Sequence, residues 1–218
     1  MLRDDYILRM IQQFAGFIAQ LLSRIKSGEV EKTQQEIQAA SLNYLGLDLE
    51  TLLESSNGEL LDFFASDDSP DMSKAFMAAH LVFADGRLCE MRKESSNAAA
   101  RYVKSLDLLL ACFEHLDSAL QVDARGRIDE IVPRLSGIDL PSGPIKKLML
   151  YYEKAGRYSL AEDRLFELVD LEAEGALELG KSFYERLMEK SDSDLENGNL
   201  PRSEACEGLA ELEDRLGE

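Results

Sequence analysis

The chain has 218 residues, 45% of them hydrophobic, and a formal net charge of −18 from 42 acidic and 24 basic side chains. So large a negative charge repels nucleic acids and anionic membranes, because binding to their phosphates depends on lysine and arginine. The sequence also lacks a continuous apolar tract long enough to cross a bilayer. We therefore expect no nucleic-acid partner and no membrane partner.

The composition favours an all-α fold. Leucine, alanine and charged helix formers recur at helical spacing in almost every segment, and runs of alternating β-branched residues are absent. We expect more than about 65% helix and essentially no strand. The three cysteines, Cys89, Cys112 and Cys206, lie far apart and form no C-x-x-C pair. Together with an N-terminus that does not have the form of a signal peptide, they favour a reducing, cytoplasmic compartment.

The first predicted element is a long amphipathic helix from Leu2 to about Lys26, which Gly28 ends. Its apolar residues repeat at three- and four-residue spacing and form one stripe. They are Tyr6, Ile7, Met10, Ile11, Phe14, Phe17, Ile18, Leu21, Leu22 and Ile25. Seven-residue steps along the stripe also suit a seam between two helices. The sequence therefore predicts either a homodimer through this helix or packing of the stripe on the chain's own bundle.

Four capping patterns predict the starts of the next helices, because their side chains can accept hydrogen bonds from first-turn N–H groups. They are Thr33 with Glu36, Asp48, Ser56 with Glu59, and Ser69 before Pro70. The helices that they open are expected to end near residues 44, 53, 65 and 85. Gly86 is expected to interrupt the last of them. Further helices are expected at about 97–116 and 124–135.

The clearest linker signal is Asp139–Pro144, which contains two prolines and a glycine. We take it as the boundary between an N-terminal helical region, residues 1–138, and a C-terminal region, residues 139–218. In the C-terminal region, Leu148 and Tyr152 are spaced as on one helix, and Gly156 marks a turn. Ala161 is a small residue at which a second helix can approach closely. Ser159, three residues before Glu162, is the predicted N-cap of that second helix.

These residues resemble the tetratricopeptide (TPR) repeat, a 34-residue helix-turn-helix unit. A second unit begins with Leu179, Gly180 and Phe183. Ala173 stands where the motif has proline, and the segment Ser191–Leu200 adds about ten residues to the second unit. The resemblance implies stacked helical hairpins, a TPR-like α-α superhelix that follows the long N-terminal helix.

The resemblance also implies a groove lined by the first helix of each hairpin, and a role as a protein-interaction or assembly module. Transferred by position, the groove presents Lys146, Leu150, Glu153, Lys154, Leu177, Lys181 and Tyr184. Three lysines on this face of an acidic region favour an unidentified protein or acidic peptide as partner. Ordinary solvated lysines are the alternative. Separately, residues Asp5–Phe14 resemble the opening of bacterial helical proteins of uncharacterised function, which implies a bacterial origin and no activity.

The sequence contains no motif that indicates a catalytic, cofactor-binding or metal-binding site. His80 and His115 are the only histidines, and their spacing matches no zinc motif. His80 lies in an apolar run, where a core histidine is the simpler interpretation. The acidic segment that begins at Asp192 lacks the glycine that a calcium-binding EF-hand loop requires. A helical bundle that binds a small ligand, or catalyses an unidentified reaction, in a deep inter-helix pocket remains the alternative to an interaction module with an open groove.

Overall fold

The computed structural model describes the backbone of residues 2–66 and 69–216 and the side chains of residues 10–11, 13–65 and 71–215. Helices make up more than three quarters of the described residues. Extended structure in that part is one antiparallel pair of two-residue strands, β1 (Ala65–Ser66) and β2 (Ser69–Pro70). The predicted all-α fold is confirmed.

The chain divides into two compact units, Met1–Ile138 and Asp139–Glu218. The helices of the first unit are α1 (Leu2–Lys26), α2 (Val30–Ala40), α3 (Leu49–Glu54), α4 (Asn57–Phe63), α5 (Met72–Met91), α6 (Ser95–Cys112) and α7 (Ser118–Ile131). A π-helical segment, Ser41–Leu45, continues α2, and 3-10 segments at Phe113–His115 and Val132–Leu135 follow α6 and α7. The helices of the second unit are α8 (Ser142–Lys154), α9 (Tyr158–Asp170), α10 (Ala176–Met188), α11 (Asp192–Asn197) and α12 (Arg202–Leu216).

The apolar stripe of α1 is buried inside the first unit, where α1 packs on α5 and α2. The buried side chains are Ile11, Phe14, Ile18, Leu21 and Ile25. The ring of Phe14 meets the ring of Tyr44 edge-on, with their centroids 5.1 Å apart. Of the two predicted alternatives, packing on the chain's own bundle is the one that these five side chains adopt within the chain. The homodimer stays a prediction. The side chains of Tyr6 and Ile7 lie outside the described residues.

Helix α5 is the centre of the first unit. Residues 75–86 are buried on every side, because α1, α2 and α6 pack around this helix. The predicted interruption at Gly86 is wrong, since α5 continues to Met91. A Cβ atom at Gly86 would lie 2.9 Å from Cε1 of Tyr102. Glycine at this position therefore lets α6 approach α5 closely instead of ending the helix.

Two of the four capping predictions are confirmed. The backbone N–H of Thr51 donates to Oδ1 of Asp48 at 2.8 Å, and Ser56 with Glu59 forms a complete capping box. Each of these caps is decided by groups within three residues of one another.

The other two capping predictions in this unit are wrong. Helix α2 begins at Val30, so Thr33 lies inside it, where its hydroxyl donates to the carbonyl of Glu29 at 2.6 Å. Helix α5 begins at Met72 and is capped by Asp71, while Ser69 and Pro70 form strand β2.

The second unit is built from helical hairpins. Helices α8 and α9 fold back on each other at Gly156, which has a φ of +71°, and Ala161 is fully buried. Helix α10 then packs on α9 and on α12. At Gly180 of α10, a Cβ atom would lie 2.7 Å from Cδ2 of Leu212. Small residues therefore set the separation of the helices in this unit.

The predicted N-cap at Ser159 is wrong. Helix α9 begins at Tyr158 without a side-chain cap, and the backbone N–H of Ser159 donates to the carbonyl of Gly198 at 3.1 Å. We therefore expect Ser159→Ala to change the free energy of unfolding by less than about 0.5 kcal/mol, whereas a lost cap costs about 1 kcal/mol. Urea denaturation of the two proteins checks this. A loss of about 1 kcal/mol would restore Ser159 as a cap.

Candidate functional site

Helices α8 and α10 carry the seven residues predicted to line a groove, and the structure places six of them at exposed or partly exposed positions. The α8–α10 surface consists of Lys146, Leu150, Lys154, Leu177 and Lys181, in which the lysines are exposed and the leucines partly exposed. Tyr184 does not belong to this surface. Its side chain is fully buried, and its hydroxyl donates to Oε1 of Glu162 in α9 at 2.6 Å. The prediction that Tyr184 lines the groove is therefore wrong.

Glu153, the seventh residue, links α8 to α10. Nε of Arg186 donates to its Oε1 at 2.6 Å, and Nη2 of Arg186 donates to its Oε2 at 2.8 Å. This two-point hydrogen bonding raises the pKa of Arg186 above its ordinary value. Because the carboxylate of Glu153 is paired with Arg186, the charge that the α8–α10 surface offers to a partner comes from the exposed Lys146 and Lys181.

One end of this surface opens into a cleft of about 150 Å³, which we call the amino-terminal cleft. Its lining includes Ser142, Gly143, Lys146, Glu174, Gly175 and Ala176. These residues include the starts of both α8 and α10. The first N–H groups of a helix have no partner within the helix and carry a partial positive charge. The N–H of Ala176 already donates to the carbonyl of Ala173 at 3.0 Å. The start of α8, at Ser142 and Gly143, and the Lys146 ammonium therefore favour an anionic group in this cleft, opposed by the carboxylate of Glu174.

A second cleft, of about 370 Å³, shares Ala173, Gly175 and Ala176 with the first. Leu177 forms part of its wall. Both clefts open to solvent.

The first unit contains a different polar arrangement, which we call the α5–α7 seam. Residues of α5 pair in order with residues of α7 and of the 3-10 segment after it. The pairs are His80 with Asp123, Phe83 with Arg127, Arg87 with Glu130, and Glu90 with Arg134. Because the residue numbers rise together on both sides, the two chain segments run parallel along the seam.

Glu130 is the centre of the seam. Its carboxylate accepts hydrogen bonds from Arg87 at 2.9 Å and from Arg127 at 2.5 Å, and Nη2 of Arg134 lies 3.3 Å away. The Arg127 guanidinium also stacks over the ring of Phe83, with Cζ 4.1 Å from the ring centroid. Charge-assisted hydrogen bonds of this kind are strong when they are partly shielded from water. The seam therefore joins α7 to α5 through charged groups, in addition to the apolar side chains that α7 buries.

His80 lies at the buried end of the seam, with its Nε2 3.1 Å from Oδ2 of Asp123. Burial lowers the pKa of His80 below its ordinary value, and the nearby carboxylate of Asp123 opposes that effect. Among the described residues, no group of histidine, cysteine and carboxylate side chains could hold a metal ion. Since the His80–Asp123 pair joins two packed helices, we assign the seam to structure and not to chemistry.

The seam was not predicted from the sequence. The available signal was the set His80, Arg87 and Glu90, which repeats at helical spacing on one face of an otherwise apolar helix. Their partners on the other side of the seam lie 43 or 44 residues further along the chain. No local motif shows such pairs.

Comparison with known proteins places the chain in a family. A family model described as a family of unknown function (DUF6483) matches residues 1–217. No curated protein and no solved structure matches the chain. In the part of the chain that the structure describes, none of the helices combines the length and the apolar character needed to span a bilayer.

Proposed function

The chain belongs to the family of unknown function DUF6483, and we propose that it acts as a protein-interaction or assembly module. In this proposal the second unit is a TPR-like pair of hairpins. Its α8–α10 surface binds an acidic segment of a partner protein, with a carboxylate of that segment in the amino-terminal cleft. The chain works in the cytoplasm and supplies no catalysis.

The observation that carries the proposal is the convergence of the start of α8 and the Lys146 ammonium in the amino-terminal cleft. It stands out against its surroundings, because acidic residues outnumber basic ones more than two to one between Tyr151 and the end of the chain. Three of the five lysines of the second unit nevertheless lie on the α8–α10 surface. An anionic segment is attracted to this surface and repelled by the acidic residues around it. This difference in charge determines where the segment binds.

The shape of the surface supports a peptide partner. Leu150 and Leu177, on the same two helices as the lysines, are partly exposed, so a bound segment would find apolar contacts as well as charges. The clefts beside them are open to solvent, as an extended or helical segment requires. A small ligand is usually held in a cavity that covers most of its surface.

Selection from a random-peptide display library, with the whole chain as bait, tests the proposal. We expect the retained peptides to be enriched in aspartate and glutamate. The double substitution Lys146→Glu and Lys181→Glu should weaken binding of the retained peptides about tenfold or more, because two attractive charges become repulsive. Fluorescence anisotropy with one labelled retained peptide measures the affinity.

The matched control carries Lys32→Glu and Lys190→Glu, two exposed lysines outside the α8–α10 surface. It changes the net charge of the chain by the same amount and should bind nearly as the unmodified chain does. A third variant, Glu174→Gln, removes the carboxylate from the amino-terminal cleft and should tighten binding. Retained peptides without an acidic bias, or equal losses in both double variants, would contradict the proposed function.

A further inference from the structure

The second unit has another cleft, separate from the α8–α10 surface, on the side of α9. We call it the α9 cleft. Its volume is about 570 Å³, which makes it larger than either of the clefts described above. Helix α9 forms one wall, and Asp139 and Leu140, which precede α8, contribute to the rest.

Apolar side chains form the floor of the α9 cleft. They are Leu140, Phe166 and Leu171. Leu171 is 53% exposed, which is high for a leucine. Phe166 is partly exposed and carries the Arg215 guanidinium over its ring, with Cζ 5.4 Å from the centroid. A single exposed leucine is common on protein surfaces. An exposed leucine beside an accessible aromatic ring in a cleft, in contrast, provides a contact surface for an apolar side chain of a partner.

Carboxylates form the rim. They belong to Asp139, Glu162, Asp163, Glu167 and Asp170. Arg164 lies 2.6 Å from Glu167, and Arg215 lies 2.6 Å from Asp170. Asp139, Glu162 and Asp163 have no ion pair with any described lysine or arginine.

Burial, first, and neighbouring carboxylates act on the pKa of Glu162. Burial raises the pKa of its carboxyl above the ordinary value, and the nearby Asp163, Glu204 and Glu211 raise it further. The hydrogen bond from Tyr184 opposes these effects. A cation placed beside the rim would relieve this repulsion.

We infer that the α9 cleft docks a basic amphipathic segment of a partner protein. One apolar side chain of the segment occupies the floor beside Phe166 and Leu171, and lysine or arginine side chains reach Asp139 and Asp163 on the rim. Helix α9 has 13 residues and is therefore about 20 Å long, which suits a helical segment laid along it. The charge of this partner segment is opposite to the one proposed for the α8–α10 surface, so the inference does not depend on that function.

A labelled helical peptide made of lysine and leucine, with the leucines on one face, is the probe. Fluorescence anisotropy with the whole chain measures its affinity. Leu171→Ser should weaken binding about tenfold, because the apolar anchor loses its contact. Leu160→Ser is the matched control, since Leu160 lies on α9, which Leu171 directly follows, is 40% exposed and does not line the cleft. It should leave the affinity unchanged.

A second pair of variants tests the rim. The double substitution Asp139→Asn and Asp163→Asn should weaken the probe severalfold. Glu189→Gln with Glu196→Gln removes two exposed carboxylates elsewhere in the second unit and should have a smaller effect. The inference is overturned if the probe fails to bind, if Leu171→Ser binds as the unmodified chain does, or if both charge variants weaken binding equally. The last two results would show attraction to the acidic protein as a whole.

Discussion

Replacement of Phe14 and Ile18 in α1 by glutamate is expected to unfold the first unit at neutral pH. Phe14 is 1% exposed and Ile18 is 4% exposed, so the change removes two core side chains and places two carboxylates in an apolar interior. The lost packing costs about 3 kcal/mol or more, and the buried charges cost several more. The sum reaches the 5–15 kcal/mol or so by which a typical domain is stable. Circular dichroism during urea denaturation measures the loss.

The matched control places the same two charges on the exposed face of the same helix, as Ala15→Glu with Ala19→Glu. This variant should stay within about 1 kcal/mol of the unmodified chain. Sedimentation of both variants distinguishes between the stripe as part of the chain's own core and the stripe as a seam between two copies. If the Phe14→Glu, Ile18→Glu chain were a folded monomer while the unmodified chain were a dimer, the stripe would be a seam between copies and its burial within one chain would be contradicted.

Gly208→Ala is expected to destabilise the second unit by about 2–4 kcal/mol. A Cβ atom at Gly208 of α12 would lie 2.5 Å from Oε1 of Glu162 and closer still to Oη of Tyr184. These two atoms are hydrogen-bonded to each other. The added methyl group therefore has to separate them, which leaves a partly buried carboxylate without its donor. Chemical denaturation with the tyrosine fluorescence of the chain as the signal measures the change.

Gly126→Ala is the control for this substitution. Gly126 is also helical, lies in α7 of the first unit and is not followed by proline, and a Cβ atom added there would have no tertiary neighbour within 4 Å. Alanine there should leave the stability unchanged or raise it by up to about 1 kcal/mol, because it restricts the unfolded chain. If the two variants were equally stable, α12 would not approach Tyr184 and Glu162 as closely as the structure shows.

Some features of the fold could be predicted from the sequence because they depend on neighbouring residues. The caps at Asp48 and Ser56 are examples. The equally good motifs at Thr33 and Ser159 failed for one shared reason, which is a turn that leads straight into the next helix. Gly28 and Gly156 have positive φ, and in both places the next helix begins two residues later.

The hydrogen bonds of these turns explain why the motifs were misleading. The N–H of Gly28 donates to Ile25, and the N–H of Gly156 donates to Glu153. The residue after each glycine donates to a carbonyl five residues before it, as in the Schellman motif. Because the hydrogen bonds of the turn already direct the backbone into the next helix, that helix needs no side-chain cap. Thr33 is then the fourth residue of α2, and Ser159 is the second residue of α9.

The candidate site was predictable to the extent that helical spacing decides which face a residue occupies. Lys146, Leu150 and Lys154 repeat every four residues on α8, and the structure leaves them exposed or partly exposed. Tyr184 was not predictable in this way. Its burial depends on Glu162, which is 22 residues away, and on the close approach of α12 at Gly208. The α9 cleft was likewise not predictable. Asp139 and Leu140, which precede α8, form part of it, and the spacing of apolar residues does not show where that segment lies in the fold.

The burial of α1 against α5 also means that the apolar stripe of α1 stays uncovered during part of its synthesis on the ribosome. The stripe from Ile11 to Ile25 is translated early, whereas α5 begins only at Met72. At about 5–20 residues per second, the stripe waits on the order of several seconds for the helix that covers it. During that interval a nascent chain displays a long apolar face that other nascent chains or a chaperone can bind. Fast elongation through the segment that separates α1 from α5 therefore protects this protein, and a pause there exposes it to aggregation.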